Sequence, residues 1–176
     1  MKNVYFLSDA HLGSRAIAHG RTQERRLVNF LDSIKHNAAA VYLLGDIFDF
    51  WYEFKLVVPK GYTRFLGKIS ELTDLGVEVH FFIGKHSRLK REGGKEPEYM
   101  GEDKEPLVLF TKNYLKDHPD INYFIYGHRH IMLDLMLSRT SRMLMLGDWI
   151  QDFSYAVFDG ENMFLEQYVE GESQYS

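Results

Sequence analysis

The sequence predicts an α/β fold, and two patterns along the chain carry that prediction. Over residues 1–84, short apolar runs of strand length alternate with stretches whose apolar residues recur at helical spacing. The last third of the chain is instead rich in short strand-like segments. Alternation of this kind is typical of a sheet covered by helices.

The composition agrees with a single globular domain and excludes several classes of protein. The 176 residues are enough for one domain with a core, and 45% of them are apolar. A formal charge of −4 argues against non-specific nucleic-acid binding. Eight histidines without any cysteine are compatible with a metal site of nitrogen and oxygen ligands, and they exclude zinc–thiolate and disulfide frameworks. No stretch resembles a signal peptide or a bilayer-spanning helix, so we expect a cytoplasmic protein.

The first part of the chain predicts a β-α-β unit. Residues Asn3–Ser8 form an apolar run of strand length, and Ala39–Leu44 form another. Between them, Arg21–His36 carries apolar residues at helical spacing, which predicts an amphipathic helix covering the sheet. Parallel strands joined in this way have a right-handed crossover.

The remaining elements follow from the same periodicities. Helices are predicted over Tyr62–Leu75, ended by Gly76, and over Leu107–Leu115, entered at Pro106. A turn signal at Asp159–Asn162 predicts a hairpin near the end of the chain. The other predicted strands are Val77–Ile83, Ile121–Tyr126, Ile131–Leu137, Arg142–Leu146, Phe153–Phe158 and Met163–Tyr168.

Two residues at the end of the first strand, Asp9 and His11, are candidate metal ligands. Residues two apart in an extended segment point the same way, so both side chains can face one ion. A carboxylate oxygen with an imidazole nitrogen is a mixed ligand set suited to manganese, iron or zinc. The alternative interpretation is a capping aspartate beside an ordinary loop histidine.

The second strand ends at Gly45 and delivers Asp46 directly onto a loop, which is where α/β sheets place their chemistry. Asp46 is therefore predicted to be a metal ligand. Asp49, one turn further along, is predicted to brace a ligand from outside the metal site. A solvated loop carboxylate is the alternative for Asp49.

A histidine pair, His128 and His130, follows the strand that ends before Gly127. Two histidines at this spacing after a strand can face one ion or a pair of ions. Combined with Asp46, the pair is a more specific signal than either motif alone. Two solvent-facing loop histidines are the alternative.

Other stretches have two interpretations each. The sequence Gly147-Asp148-Trp149 either lines the site or combines a capping aspartate with a packed tryptophan. Apolar residues 50–58 favour a loop packed on the core, and the alternative is an exposed lip for an apolar substrate. The basic stretch Lys85–Arg91 favours a solvated helix end over a phosphate-facing patch. The polar stretch Glu92–Glu105 is typical of a mobile surface segment.

Taken in order, Asp9-x-His11, Gly45-Asp46-x-x-Asp49 and Gly127-His128-x-His130 resemble the motifs of the calcineurin-like metallophosphoesterases. Within that superfamily the chain resembles the pyrophosphatases that cleave UDP-2,3-diacylglucosamine in lipid A synthesis. The resemblance implies a four-layer αββα sandwich of two mixed sheets flanked by helices, and it covers residues 1–84 and 106–168. The stretches that carry it are Phe6–Gly13, Leu44–Asp49, Tyr126–His130 and Leu146–Trp149.

The resemblance also implies a site for two divalent ions, commonly manganese, with Asp46 bridging them. It places Asp9, His11 and His130 beside Asp46 on the first ion. It places His128 beside Asp46 on the second. A metal-bound water would be the nucleophile, so no side chain is assigned as catalytic.

The implied substrate is a nucleotide-linked lipid, cut at its diphosphate into UMP and 2,3-diacylglucosamine 1-phosphate. His128 and Ser87 are the residues that the resemblance places against this substrate. A lipid substrate further implies peripheral association with the surface of the inner membrane. Two alternatives stay open, namely a metallophosphoesterase acting on a soluble substrate and a non-catalytic module that binds one metal ion.

The chain departs from the family pattern after Gly84. The family continues there with Gly-Asn-His-Asp or a close variant and later has a His-Gly-Asp, whereas this chain reads Gly84-Lys85-His86-Ser87 and contains no His-Gly-Asp. The absent asparagine and histidine are ligands of the second ion in the family. We therefore expect that a segment of several tens of residues, with the lid and both motifs, is missing or deleted between Gly84 and Lys85.

Overall fold

The computed structural model describes residues 2–15, 17–49, 61–84 and 98–171. The apolar stretch 50–58, the basic stretch 85–91 and Ser87 within it lie outside the described residues, as does the Lys85 side of the expected break. Within the described ranges the chain forms eight strands and three helices. They are β1 (Asn3–Leu7), α1 (Gly20–Ile34), β2 (Ala38–Leu43), α2 (Thr63–Asp74), β3 (Glu78–Phe81), α3 (Pro106–Asp117), β4 (Tyr123–Tyr126), β5 (Met132–Met136), β6 (Arg142–Leu146), β7 (Ser154–Phe158) and β8 (Met163–Gln167).

The strands form two mixed sheets. The larger sheet has the order β3-β2-β1-β7-β8, and its first three strands are parallel. Strand β7 runs antiparallel to β1, and β8 runs antiparallel to β7. The smaller sheet has the order β4-β6-β5, with β4 parallel and β5 antiparallel to β6. The predicted β-α-β unit is confirmed as two adjacent parallel strands joined through α1.

Side chains that alternate along single strands show how the layers stack. On β1, Tyr5 lies in a core shared with α1 and α2, while Phe6 faces the opposite way into a core between the two sheets. On β6, Leu144 lies in that same inter-sheet core, whereas Met143 packs with Val108 of α3. Period-two alternation therefore places both sheets in the middle and helices on both outer faces. The four-layer αββα sandwich is confirmed.

The predicted elements differ from the observed ones by at most two residues at either end, and β6 has the predicted bounds. Strand β3, for example, is predicted over Val77–Ile83 and observed over Glu78–Phe81. Among the described residues it lies at the edge of the sheet and pairs only with β2, so its ladder stops where β2 ends. At the predicted hairpin, Oδ1 of Asp159 accepts hydrogen bonds from the backbone N–H groups of Glu161 and Asn162.

The three helices are 15, 12 and 12 residues long. A bilayer span requires about 20 predominantly apolar residues. Among the described residues, no helix combines that length with the necessary apolar content.

Candidate metal centre

The five predicted ligands meet where strands of both sheets end. Asp9 and His11 follow β1, Asp46 follows β2, and His128 and His130 follow β4. The His11 N–H group donates to the Asp46 carbonyl oxygen at 2.8 Å, which joins the first two loops. The His128 N–H group donates to the Asp9 carboxylate at 2.7 Å and joins the third loop to them. The tertiary structure therefore brings all five residues to one place.

All five residues also have backbone φ angles in the left-handed region, between 43° and 72°. Only two other described non-glycine residues, Tyr62 and Phe153, share this property. A left-handed φ costs a non-glycine residue about 1–3 kcal/mol and persists where the surrounding structure holds it, often at functional sites. The concentration of such residues after β1, β2 and β4 marks the carboxyl ends of these strands as the candidate site.

Asp9, His11 and His130 form a cluster that fits one metal ion. One ligand atom from each lies within 4.8 Å of the others, and Nε2 of His11 is 3.3 Å from Nε2 of His130. Asp9 is almost fully buried, yet its Oδ1 atom accepts no hydrogen bond from the part of the chain that is described. That oxygen faces Nε2 of His130 at 3.4 Å and Nε2 of His11 at 3.8 Å. A buried carboxylate oxygen without a donor, beside two imidazole nitrogens, is the ligand set of a divalent cation.

Burial sets the electrostatics of this cluster. It raises the pKa of the Asp9 carboxyl, and the His128 N–H group and the nearby histidines offset that effect only in part. It also lowers the pKa of His11, as does the adjacent His130. Both shifts disfavour the charged form of the side chain. A bound cation would act in the opposite direction on Asp9, because its positive charge stabilises a carboxylate.

Asp46 and His128 form the part of the site that opens to solvent. Nδ1 of His128 lies 3.8 Å from Oδ2 of Asp46, and the two side chains are 57% and 11% exposed. The described residues thus place two candidate ligands here and three in the neighbouring cluster. A cleft of about 490 Å³ opens at this point and is lined by Asp9, Leu44, Gly45, Asp46, Ile83, Gly84 and His128.

Two glycines let other strand ends approach the candidate ligands closely. A Cβ atom on Gly127 would lie 2.6 Å from Oδ2 of Asp9, and one on Gly84 would collide with Asp46. Any side chain at either position would therefore displace a candidate ligand. The segment that follows β3 therefore lies directly beside Asp46 at Gly84.

Asp49 lies next to this cluster and faces His11 without a hydrogen bond to it. Its Oδ1 atom is 3.6 Å from Nδ1 of His11, which is beyond hydrogen-bond distance, and its side chain is 45% exposed. Its bracing role stays a prediction. The contact of Ser87 with substrate also stays a prediction, because Ser87 lies outside the described residues.

Asp148 is a site residue for which the sequence allowed two interpretations, and both apply. Its Oδ2 atom lies 3.0 Å from Nδ1 of His130, while Oδ1 accepts hydrogen bonds from the N–H groups of Ile150 and Gln151 at 2.8 and 2.7 Å. Burial raises the pKa of Asp148, but the interaction with His130 and the backbone hydrogen bonds outweigh it and hold that pKa below its usual range. The next residue, Trp149, is fully buried in the core.

Glu105 is a residue near the site that the sequence did not indicate. The expectation of a mobile surface segment over Glu92–Glu105 is wrong at Glu105, whose side chain is 0% exposed. It accepts two hydrogen bonds from Arg129, at 2.7 and 3.0 Å. Arg129 stands between His128 and His130, so this ion pair ties the start of α3 to the loop that carries both histidines. An acidic run has the same composition whether it is solvated or partly buried, so no sequence signal separates the two.

Comparison with known proteins shows which sequences and structures the chain is similar to. No protein-family profile matches the chain. The UDP-2,3-diacylglucosamine hydrolase of Porphyromonas gingivalis is 32% identical, over an alignment that covers 93% of this chain and 96% of that relative. The protein of the same name from Neisseria gonorrhoeae is 36% identical over 127 residues, which are 68% of this chain and 49% of that relative.

A solved structure shares the fold. The crystal structure of a dimetal phosphatase from Danio rerio matches with a TM-score of 0.50 and 12% identity, covering 94% of this chain and 95% of that one. At this level of identity the likeness concerns the fold alone. The relationship by sequence is much closer, since identity of 32% extends over nearly the whole chain. The chain therefore belongs to the UDP-2,3-diacylglucosamine hydrolase family.

Proposed function

We propose that the protein hydrolyses the diphosphate of UDP-2,3-diacylglucosamine in a metal-dependent reaction of lipid A biosynthesis. The products would be UMP and 2,3-diacylglucosamine 1-phosphate, since one water is added across a P–O bond of the P–O–P bridge and the bridging oxygen leaves with the other phosphate. The observation that carries the proposal is the cluster of Asp9, His11 and His130 beside Asp46 and His128, in a chain related to hydrolases named for this substrate.

The proposed cofactor is a pair of divalent ions, with manganese as the metal. Asp9, His11 and His130 would hold the first ion together with Asp46, and Asp46 and His128 would contribute to the second. The unpartnered Oδ1 atom of Asp9 supports the first position. Bound divalent ions supply charge stabilisation at a phosphoryl group and a more acidic water.

The protein's own groups provide orientation and charge around that reaction. His128 is the most exposed of the candidate ligands, and its place in the cleft allows it to contact the diphosphate. Asp46 contributes negative charge at the point where both ions would meet. Because the substrate carries two acyl chains, we propose that the protein works as a peripheral protein at the surface of the inner membrane.

The test of this function is an assay of the metal-loaded natural protein on UDP-2,3-diacylglucosamine in detergent micelles. We expect Mn²⁺-dependent release of UMP, measured by chromatography, and its loss when the metal is chelated. The same preparation is tested in parallel on an aryl phosphodiester. Cleavage of that diester with the lipid left intact would contradict the proposal and favour a soluble substrate. A folded protein that binds one Mn²⁺ and cleaves neither compound would favour a non-catalytic metal-binding module.

We also propose that the natural protein contains a segment between Gly84 and Lys85 that is absent from this chain. The alignment with the P. gingivalis relative extends over 252 positions but includes only 93% of the 176 residues of the chain, about 164, so about 88 positions have no counterpart in this chain. Gly84 lies directly against Asp46, so a segment starting there would begin at the second ion's position. The described residues supply only Asp46 and His128 to that position, which would hold an ion weakly.

Intact-mass spectrometry of the natural protein tests the missing segment. A continuous chain has a mass of 20.7 kDa, and restoring about 88 residues of the same mean mass would add about 10 kDa. We expect the heavier mass, together with two Mn²⁺ per protein by elemental analysis. A natural protein of 20.7 kDa with one bound ion would contradict the proposal.

A further inference from the structure

Asp148 stands behind His130, at the ring nitrogen that does not face the ligand cluster. Its Oδ2 atom lies 3.0 Å from Nδ1 of His130, while Nε2 of the same ring lies 3.4 Å from the Asp9 carboxylate. We propose that Asp148 is a positioning residue that fixes the tautomer of His130 and so directs the lone pair of Nε2 at the metal. This inference rests on the proposed function only in taking His130 as a metal ligand.

The chemistry of imidazole gives Asp148 this role. A neutral imidazole carries one N–H group, and the hydrogen-bond partners of the ring decide which nitrogen carries it. An ionised carboxylate only accepts hydrogen bonds, so the proton lies on Nδ1, where Asp148 faces the ring. Nε2 then presents its lone pair to Asp9 and His11. A carboxylate in this position also makes the histidine a more basic ligand.

The Asp148 carboxylate is itself held in one orientation. Its Oδ1 atom accepts hydrogen bonds from the N–H groups of Ile150 and Gln151, so rotation of the carboxylate would break both. The Trp149 N–H group donates to the Asp9 carbonyl oxygen at 3.1 Å. These contacts tie the loop after β6 to the loop after β1 that carries the first candidate ligands.

Gln23 of α1 supports the same two loops. Its side chain is almost fully buried, and its Nε2 atom donates to the carbonyl oxygen of Trp149 at 3.0 Å and to that of Ala10. One helix residue thus joins both loops through their backbones. Asp148 therefore lies on a rigid support, which a residue needs if it is to orient a ligand.

The variant Asp148→Asn tests the proposal because it keeps the shape of the side chain and changes what faces His130. The amide oxygen of the new side chain accepts the hydrogen bonds from the backbone N–H groups of Ile150 and Gln151, so its NH₂ group faces Nδ1 of His130 and donates to it. The proton of His130 then moves to Nε2. We expect the affinity of the first site for Mn²⁺, measured by calorimetric titration, to fall about 10- to 100-fold. We expect ring-nitrogen NMR of the metal-free protein to show His130 protonated on Nδ1 in the wild type and on Nε2 in the variant.

Asp159→Asn is the matched control, since Oδ1 of Asp159 also accepts two backbone N–H bonds, but at the β7–β8 turn. It should keep the wild-type Mn²⁺ affinity and the wild-type tautomer of His130. A wild-type His130 protonated on Nε2 would overturn the proposal without any variant, and so would unchanged Mn²⁺ affinity in Asp148→Asn. Neither readout depends on hydrolysis. A wild-type protein that leaves UDP-2,3-diacylglucosamine intact, yet shows the Nδ1 tautomer, would refute the proposed function alone.

Discussion

In the Asp46→Asn variant, the rate of UDP-2,3-diacylglucosamine hydrolysis is expected to fall by at least about 10²–10³-fold. A loss of this size is typical when one group that stabilises developing charge is removed. Asp46 is the candidate ligand that both ions would share, and it lies 3.8 Å from His128. Asparagine keeps the shape of the side chain and tolerates the φ angle of 50° at this position. The loss would therefore report the missing negative charge. UMP release at saturating Mn²⁺ is the measurement, with circular dichroism to verify folding.

Asp159→Asn provides the matched control for this variant. Oδ1 of Asp159 accepts hydrogen bonds at the β7–β8 turn. The neighbouring Phe158 pairs with Val4 at the opposite end of β1 from Asp9, so the same change should leave activity at the wild-type level. An Asp46→Asn protein that kept more than about a tenth of wild-type activity would show that Asp46 is not a shared ligand.

The Arg129→Ala variant is expected to lower the free energy of unfolding by about 3–5 kcal/mol, the usual effect of leaving a buried charge without its partner. The carboxylate of Glu105 is fully buried, and Arg129 donates both of the side-chain hydrogen bonds that the structure shows on it. Urea unfolding followed by circular dichroism gives the measurement. Because Arg129 lies between His128 and His130, the variant should also bind Mn²⁺ more weakly.

An exposed ion pair between α3 and the segment before it offers the control. Nζ of Lys112 lies 2.8 Å from the Glu102 carboxylate, and the two side chains are 38% and 50% exposed. Lys112→Ala should lower the free energy of unfolding by less than about 1 kcal/mol, since solvent screens such pairs. If Arg129→Ala and Lys112→Ala lowered the free energy of unfolding equally, burial of Glu105 would not make its ion pair more important for stability than an exposed pair.

The location of the candidate ligands could be predicted because each depends on a local pattern. An apolar run that ends at a glycine or a polar residue indicates the end of a strand, and parallel strands end at the same edge of a sheet. Asp9 and Asp46 follow β1 and β2, which are adjacent and parallel. Their proximity therefore follows from the β-α-β pattern, before any packing is known.

The arrangement of the two sheets required the tertiary structure. Strand β7 pairs with β1, so that Val4 lies opposite Phe158 near the other end of the chain. Which strands pair depends on which faces bury apolar surface together. The period-two alternation of a strand is the same whichever neighbour it has, so the sequence pattern does not indicate that neighbour. The local pattern of β4 and β6 likewise did not show that they form a separate sheet.

The same limit of sequence-based prediction applies to two single residues, Asp148 and Glu105. From the sequence alone came the α/β class, the order of the motifs and five residues placed at strand ends. Only the tertiary structure decided that Asp148 stands behind His130 and that Glu105 is buried against Arg129. A carboxylate has the same local sequence pattern whether it is solvated, caps a turn or pairs with a cation, because its partner comes from a distant segment that only the packed chain brings to it.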